Sequence, residues 1–599
     1  MKICYLSKES DACISVINPF FSSSRPARTL PTLAATLAVF AALICVYLPF
    51  SGSLHLFDWD ELIFAEAARE MTERQDFLRV FVNYQPFFEK PPGFFWFQVL
   101  SYQLVGVNEW GARLPSVLFT AASGAMLFWL GRYILSPGFG LLWAALFGLG
   151  FLPAVMGKLG LVDPTFNFFV LSTLIGLFAA DESRRRDRVD HTLPKLPYSV
   201  IAVFSLAIAV LVKGPLALAI VLPSFAIYKF FVQDPSLRPL DVIAFLGSTL
   251  LLASSWFAVI SLIYGPEFVI QFVTYQLRIT GTNDGHPGFI GFHSLVFLFG
   301  CFPFSIFIFR SIFRRSLYRE RRFTILAFTL FGSVLVLFEL IVKTKLIHYS
   351  SMLYAPGSFL AAQSLWRIWQ GKIKVNAFEL VALTLVAFLL ALPLLLLPYV
   401  GNNHKVLDSF LPGASIQAYL DTPVTWGWET FLPGGFLLLA TALSMLFWLQ
   451  GKPKPAIVTL IATGALSANL SWILLGSRVD AYIETPMVRY IAQVGTAPLA
   501  FYGPLTYLPP FYAKRAIANP HSPAELEKLI AQQPNLQVVV RASEMGEMAQ
   551  FPSLKVQNRY GAFLLLGPNV KSAERAIATA RQSEQHIRIE MFLEKIHAD

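Results

Sequence analysis

Charge is what this chain has least of. Only 14% of its 599 residues are Asp, Glu, Lys or Arg, against about a quarter in an ordinary soluble domain. From Thr29 to Phe57 none of the four occurs. A soluble enzyme does not carry so little charge, and a disordered chain does not carry 55% hydrophobic and 15% aromatic residues. No internal repeat or low-complexity segment is present, which excludes a fibrous repeat. Cysteine is scarce as well. Cys4, Cys13, Cys45 and Cys301 form no CxxC or Cys/His zinc spacing and no disulfide framework. What remains is an α-helical, polytopic membrane protein.

A membrane-spanning helix needs about 20 mostly apolar residues. About thirteen stretches qualify, near 30–50, 112–134, 138–157, 162–180, 198–212, 214–232, 239–264, 291–313, 323–343, 348–369, 376–400, 430–450 and 455–476. Lys2, Lys8, Arg25 and Arg28 precede the first, which reads as an uncleaved anchor with a cytoplasmic N-terminus. The loops carrying Arg184, Arg185, Arg186, Arg188 and Lys195, and Arg314, Arg315, Arg319, Arg321 and Arg322, then fall on the cytoplasmic side. This is the positive-inside pattern, so the net charge of +10 reads as topology and not as nucleic-acid binding. An odd number of spans puts the C-terminus outside.

Two outside segments stand out. In the first, 51–111, Ile63, Ala67 and Met71 recur at helical spacing with Glu66, Arg69 and Glu70 on other faces, the pattern of an interfacial helix. The tail, 478–599, alternates short apolar runs (Pro498–Phe501, Leu536–Val540, Phe563–Leu566) with a helix that starts at Ser522, has Glu525 as its capping-box partner, and ends near Gln533. The expected division is a transmembrane domain over 1–477 and a small extracytoplasmic α/β domain over 478–599.

Ionisable residues gather at span ends on the outside face. Asp58-Trp59-Asp60-Glu61 follows the first span. It reads either as a helix cap or as a carboxylate at the mouth of a membrane cavity. Phe88-Glu89-Lys90-Pro91-Pro92-Gly93 sets opposite charges beside two prolines that fix the backbone, so Lys90 is either an interfacial anchor or an aimed phosphate partner. Asp163, just before Pro164, suits an N-cap. Lys213-Gly214-Pro215 interrupts two apolar runs, and Lys343, Lys345, His348 and Tyr349 share another outside turn. Arg278, Asp284, His286 and His293 lie in or beside the 265–290 loop. Each alone has a capping or snorkelling explanation. Together they place many costly ionisable groups at one membrane face, which points to a site.

At these residues the sequence resembles a known family. Asp60-Glu61, Phe64-Ala65-Glu66, Arg69-Glu70-Met71, Phe88-Glu89-Lys90-Pro91-Pro92, Asn108 to Pro115, Leu161-Val162-Asp163, Leu211 to Pro215, and Lys345-Leu346 with Tyr349 and Pro356 follow in order. The pattern resembles the lipid A aminoarabinose transferases, within the protein O-mannosyltransferase-like enzymes of the GT-C fold. The resemblance implies an inverting glycosyltransferase of the bacterial inner membrane, working at its outer face. It implies a polyprenyl-phosphate (undecaprenyl-phosphate) sugar donor and a lipid A, lipopolysaccharide, other glycan or protein acceptor. It implies catalytic roles for Asp60, Asp163, Glu89 and Lys90. Lys90, Arg278 and Lys345 would meet the donor phosphate, and Tyr349, Glu61 and Lys213 would line the substrate site. No cofactor is required, although some relatives hold a divalent metal beside the Glu-Lys pair, which here leaves Glu89 and His286 as the place for one. The sequence departs from the family at Ile63 and Phe64, where Arg and Tyr are usual, at Phe87, where Tyr is usual, and at Tyr275, where a histidine is expected. These departures leave the sugar and the acceptor open. The competing class is a transporter or flippase for a lipid-linked sugar. It would use the same basic cavity without breaking the glycosidic bond.

Overall fold

The computed structural model describes residues 29–190, 196–233, 238–282, 285–313, 321–403, 419, 422–503 and 506–569. The N-terminal basic residues, Cys4, Cys13, Lys195, Asp284, Arg314, Arg315 and Arg319 lie outside them, as do the side chains of Arg186, Arg188 and Arg321.

The first half of the chain forms α1 (Thr29–Tyr47), α2 (Asp60–Arg74), α3 (Gly93–Val105), α4 (Glu109–Ile134), α5 (Pro137–Leu149), α6 (Phe151–Met156), α7 (Val162–Asp190), α8 (Leu196–Lys213), α9 (Leu216–Val232), α10 (Pro239–Tyr264) and α11 (Glu267–Gly281). Then follow α12 (Phe292–Gly300), α13 (Ile308–Phe313), α14 (Arg321–Val336), α15 (Tyr354–Trp369), α16 (Ala377–Asn402), α17 (Leu432–Leu449) and α18 (Pro453–Leu470). Among the described residues seven helical stretches are each long and apolar enough to cross a membrane. Pro31–Tyr47, Pro137–Leu149, Tyr198–Lys213 and Leu216–Val232 are shorter apolar helices. The protein is an integral membrane protein.

Several expected spans are not straight. The stretch near 138–157 is two helices, because Gly150 is extended (ψ 154°) between α5 and α6. The stretch near 291–313 bends by 115° between Phe292–Gly300 and Ser305–Ser311. Pro303 sits in that break, and a proline has no N–H for a helical bond. The stretch near 348–369 starts with a 3₁₀ segment, Ile347–Leu353, before α15.

The described residues of Met1–Ser53, Ala67–Leu396 and Trp428–Leu474 form one compact unit, and those of Leu54–Glu66, Leu397–Gly427 and Leu475–Asp599 another. In the first unit Phe302, Ile306, Leu383, Leu437 and Leu460 form one apolar core, and Tyr47, Val117, Ala121 and Ala154 another. Buried ionic groups lie at the start of α7 and again in its second half. Asp163 lies in its first turn. Asp181, eighteen residues on and roughly 27 Å along the axis at 1.5 Å per residue, accepts hydrogen bonds from Lys229 and Arg322 at 2.7 Å and from the Tyr228 hydroxyl at 3.0 Å. The spacing approaches the thickness of a hydrocarbon core. Lys158, fully buried, donates to the Tyr47 and Pro49 carbonyls at 2.7 Å and so caps the end of α1.

The helix expected to lie at the interface, α2, is buried on all faces from Glu61 to Met71, where Glu66, Arg69 and Glu70 are as enclosed as Ile63, Ala67 and Met71, and is exposed at Glu73 and Arg74. Its charges are paired rather than solvated. Glu70 accepts the Tyr84 N–H at 2.7 Å and lies 3.4 Å from Arg74, and Arg69 pairs with Glu73. Tyr84 follows the short hairpin strand β1 (Phe81–Val82) and leads into β2 (Gln85–Pro86).

In the second unit β3 (Leu499–Tyr502), β4 (Gln537–Arg541), β5 (Leu554–Tyr560) and β6 (Phe563–Pro568) form a sheet in the order β3-β4-β6-β5. Its β3–β4 pair is parallel and the others antiparallel. The helices here are α19 (Ser477–Tyr482), α20 (Glu484–Val494), α21 (Leu508–Ala513), α22 (Pro523–Gln532) and the short α23 (Met545–Met548). Ser522 caps α22 by accepting the Glu525 N–H, and Glu525 accepts the His521 N–H, close to the expected box. Leu526, Leu536, Val538, Val540 and Leu566 fill the core.

Candidate active site

In the first unit the site grows from the ends of two helices. Pro164 in the first turn of α7 needs no N–H partner, and the carboxylate of Asp163 suits that positive end. Lys213 closes α8, and Gly214 breaks it with φ +67°, a conformation that costs glycine little. Lys213 Nζ donates to Asp163 Oδ1 at 2.7 Å, with Asp163 buried and Lys213 half-buried. The ammonium also lies 5.0 Å from the Tyr349 ring centre and 5.8 Å from that of Phe166, within the range of cation–π attraction. His348 Nε2 stands 4.0 Å from Asp163 Oδ2, an oxygen that accepts no hydrogen bond. Asp163, Asn167, His348, Ser351 and Tyr354 line a cavity of ≈ 30 Å³, room for about one or two water molecules.

The Glu89-Lys90-Pro91-Pro92-Gly93 turn abuts the same place. A Cβ on Gly93 would lie 2.6 Å from the Leu211 carbonyl oxygen, so only glycine lets the start of α3 touch the last turn of α8, two residues before Lys213. The Glu89 carbonyl accepts from Gln276 of α11 at 3.2 Å. A Cβ on Gly214 would meet Phe272 of the same helix at 2.9 Å. The starts of α3 and α7, the end of α8 and one face of α11 thus converge. Arg278, also on α11, is exposed, its guanidinium 5.2 Å from the Tyr275 ring centre.

Lys345 is engaged elsewhere. Its ammonium donates to the Phe338 carbonyl and, at 3.0 and 2.9 Å, to those of Glu339 and Val342. It caps the π-helical end, Leu337–Ile341, that follows α14. Burial lowers its pKa. Glu339 in turn accepts the Gly291 and Ser294 N–H groups at the start of α12. His293 is buried against Ser350 at 3.0 Å, whereas His286 is exposed. Among the described residues no group of three or more His, Cys, Asp or Glu is placed to hold a metal ion. An apolar cavity of ≈ 540 Å³ runs between α9 and α14, lined by Pro223, Phe231, Phe328, Gly332 and Val336 among others.

Asp60 and Glu61 belong to the second unit. Both stand in the first turn of α2. Glu61 is buried and accepts the Phe57 N–H at 2.9 Å, and Asp58 accepts the Trp59 N–H at 2.8 Å. The capping reading therefore fits Asp58 and Glu61. Trp59 between them takes φ +84°, rare for a bulky residue.

The structure brings together Asp163, Lys213 and Tyr349, with the Glu89–Lys90 turn against the end of α8. Sequence reading placed His348 in the turn it shares with Tyr349 but gave it no role, and it did not single out Asn167, Gln276 or Glu484.

Residues 32–275 match the family described as dolichyl-phosphate-mannose-protein mannosyltransferase. The undecaprenyl phosphate-alpha-4-amino-4-deoxy-L-arabinose arabinosyl transferase of Yersinia pestis is 26% identical over 210 residues, which are 35% of this chain and 36% of that protein. The enzyme of the same name from Yersinia enterocolitica is 26% identical over 222 residues, 36% and 38% of the two chains. The aligned part spans little more than a third of these relatives' length. The crystal structure of ArnT from Cupriavidus metallidurans bound to undecaprenyl phosphate superposes with a TM-score of 0.66 at 20% identity, covering 90% of this chain and 97% of that one. The chain shares its fold with ArnT. The apo form of ArnT gives a TM-score of 0.67, with 89% and 98% covered. The expected GT-C architecture, a helical membrane bundle with a small C-terminal sheet, is the one found.

Proposed function

We propose that the protein is an inverting membrane glycosyltransferase that moves a sugar from a polyprenyl-phosphate carrier to an acceptor at the outer face of a bacterial inner membrane. The observation that carries this reading is the Asp163–Lys213 pair facing Tyr349, with the Lys90 turn against the end of the same helix. The fold shared with ArnT and the partial identity to aminoarabinose transferases support it. In this reading the donor phosphate meets Lys90, Lys213 and Arg278. Asp163 holds the Lys213 ammonium in place, so that positive charge is fixed before the phosphate accumulates charge as the leaving group. Lys345 stays a helix cap, since its three N–H bonds are spent on carbonyls. The apolar cavity between α9 and α14 takes the prenyl tail.

The acceptor oxygen attacks the anomeric carbon from the face opposite the phosphate. The new C–O bond forms as the bond to the phosphate oxygen breaks, and polyprenyl phosphate departs. With a hydroxyl acceptor, Asp60 takes the proton. With a phosphate acceptor, already nucleophilic, Asp60 positions it. Glu89 orients Lys90.

The test is transfer of radiolabel from polyprenyl-phosphate sugars to membrane-extract acceptors by the purified protein and its Lys90→Ala variant. Label in a new product, lost in the variant, supports the reading and yields the acceptor. Label that stays on the carrier across a broad donor panel overturns it.

A further inference from the structure

The segment leading to Asp60 is held by residues more than 400 positions along the chain. The Leu56 N–H donates to the Tyr512 hydroxyl at 2.9 Å. The Phe57 N–H goes to Glu61, the Asp58 N–H faces the Glu484 carboxyl, and the Trp59 N–H goes to Asp58. The same Asp58 oxygen takes the Tyr507 N–H at 3.1 Å. His55 Nδ1 lies 3.0 and 3.1 Å from the two oxygens of Asp480, and its ring meets that of Tyr512 edge-on at 5.6 Å. Tyr507 packs edge-on against Trp59 at 5.4 Å. One side chain suffices for an ordinary helix cap. Here every N–H from Leu56 to Trp59 has a designated acceptor, two of them supplied by Tyr512 and Glu484. Such over-determination is what keeps a bulky residue such as Trp59 at positive φ.

We propose that Glu484 is a positioning residue for Asp60, and that the tail latches the Asp60 turn only while Glu484 carries its proton. Glu484 is 2% exposed, and its Oε2 accepts no hydrogen bond. An ionised carboxylate in that place leaves a buried charge half unsolvated. The charged and titratable groups around it are Asp480 on α19, Asp58 in the turn, His55 engaged with Asp480, and Tyr419, which also faces Arg541 and Glu544. Burial, with the Asp480 charge adding to it and the Asp58 N–H opposing it, pushes the Glu484 pKa up to about 8. Below that the neutral carboxyl sits against the Asp58 N–H. Above it a further negative charge appears beside Asp480 and Asp58, and the turn is driven off.

The link to catalysis rests on the glycosyltransferase reading; the latch itself does not. The experiment is therefore double. Amide hydrogen exchange of the peptide covering residues 55–60 is compared between the full-length wild type and Glu484→Gln, at about pH 7 and about pH 9.5, where the intrinsic exchange rate is common to both. The expected result is equal protection at the lower pH and wild-type exchange at least about tenfold faster at the higher one. Sugar transfer, read in parallel, loses its alkaline limb near pH 8 in the wild type and keeps it in Glu484→Gln. Tyr512→Phe, which removes an acceptor and no charge, is expected to speed exchange at both pH values and to show the same fall in transfer near pH 8 as the wild type. Exchange curves that coincide for wild type and Glu484→Gln at both pH values overturn the latch. Absence of any wild-type transfer counts against the glycosyltransferase reading instead, and the exchange data still decide the latch.

Discussion

Lys213 Nζ and Asp163 Oδ1 meet at 2.7 Å, tying the end of one membrane helix to the start of the one before it. The pair joins the helix ends whose dipoles favour those charges. It leaves one Asp163 oxygen directed toward His348, 4.0 Å away.

Breaking that pair from one side leaves a buried charge alone. Lys213→Ala and Asp163→Ala are each expected to cost about 3–5 kcal/mol of stability, with a coupling of about 1–3 kcal/mol recovered in the double variant. Thermal or denaturant unfolding of the three variants in detergent checks it. Additive losses would mean that the two groups act independently.

Lys345→Met is expected to act on stability and not on donor binding. Three carbonyls lose their donor, at about 1 kcal/mol each, while the affinity for polyprenyl phosphate stays at the wild-type value. Titration of the carrier onto the variant, beside its unfolding curve, separates the two effects.

Gly93→Ala inserts a methyl group where the Leu211 carbonyl stands 2.6 Å away. The start of α3 must move from α8 and take the Lys90 turn with it. A loss of about 1–3 kcal/mol is expected from the overpacking, with donor affinity reduced alongside it. Gly435→Ala, which meets nothing within 4 Å, serves as the control.

Glu484 also sets a pH dependence of stability. Its native pKa, about 8, lies above the ordinary value of 4.5. The folded state therefore holds the proton more tightly, and this contribution is complete below about pH 4.5 and lost as pH rises to about 8. Glu484→Gln is expected to melt higher than wild type at alkaline pH, with the difference shrinking as pH falls. Melting curves over that range check the sign.

Much of the fold was legible because membrane helices announce themselves by apolar length. The bends were less so: Gly150 and Pro303 interrupt apolar runs without changing their hydropathy. Strands β3, β4 and β6 showed as apolar runs, while β5, with Lys555, Gln557, Asn558 and Arg559, is largely exposed and has no such run. For the site, motif order picked out Asp163, Lys213 and Tyr349, which meet. It read α2 as interfacial because helical spacing cannot tell a solvated polar face from one whose charges are paired, as Glu70 is with Arg74. Nor does any local pattern reveal that Tyr512 and Glu484 fold back onto Leu56 and Asp58.

The most direct measurement is the fate of the sugar–phosphate bond. Proteoliposomes containing the wild-type protein are given a polyprenyl phosphate labelled in both sugar and phosphate, together with membrane-extract acceptors. The expected result is sugar label in a new product and an equal amount of polyprenyl phosphate released, both abolished by Lys213→Ala. Sugar and phosphate that cross the bilayer still joined would contradict the proposal and make the protein a carrier of the intact lipid-linked sugar.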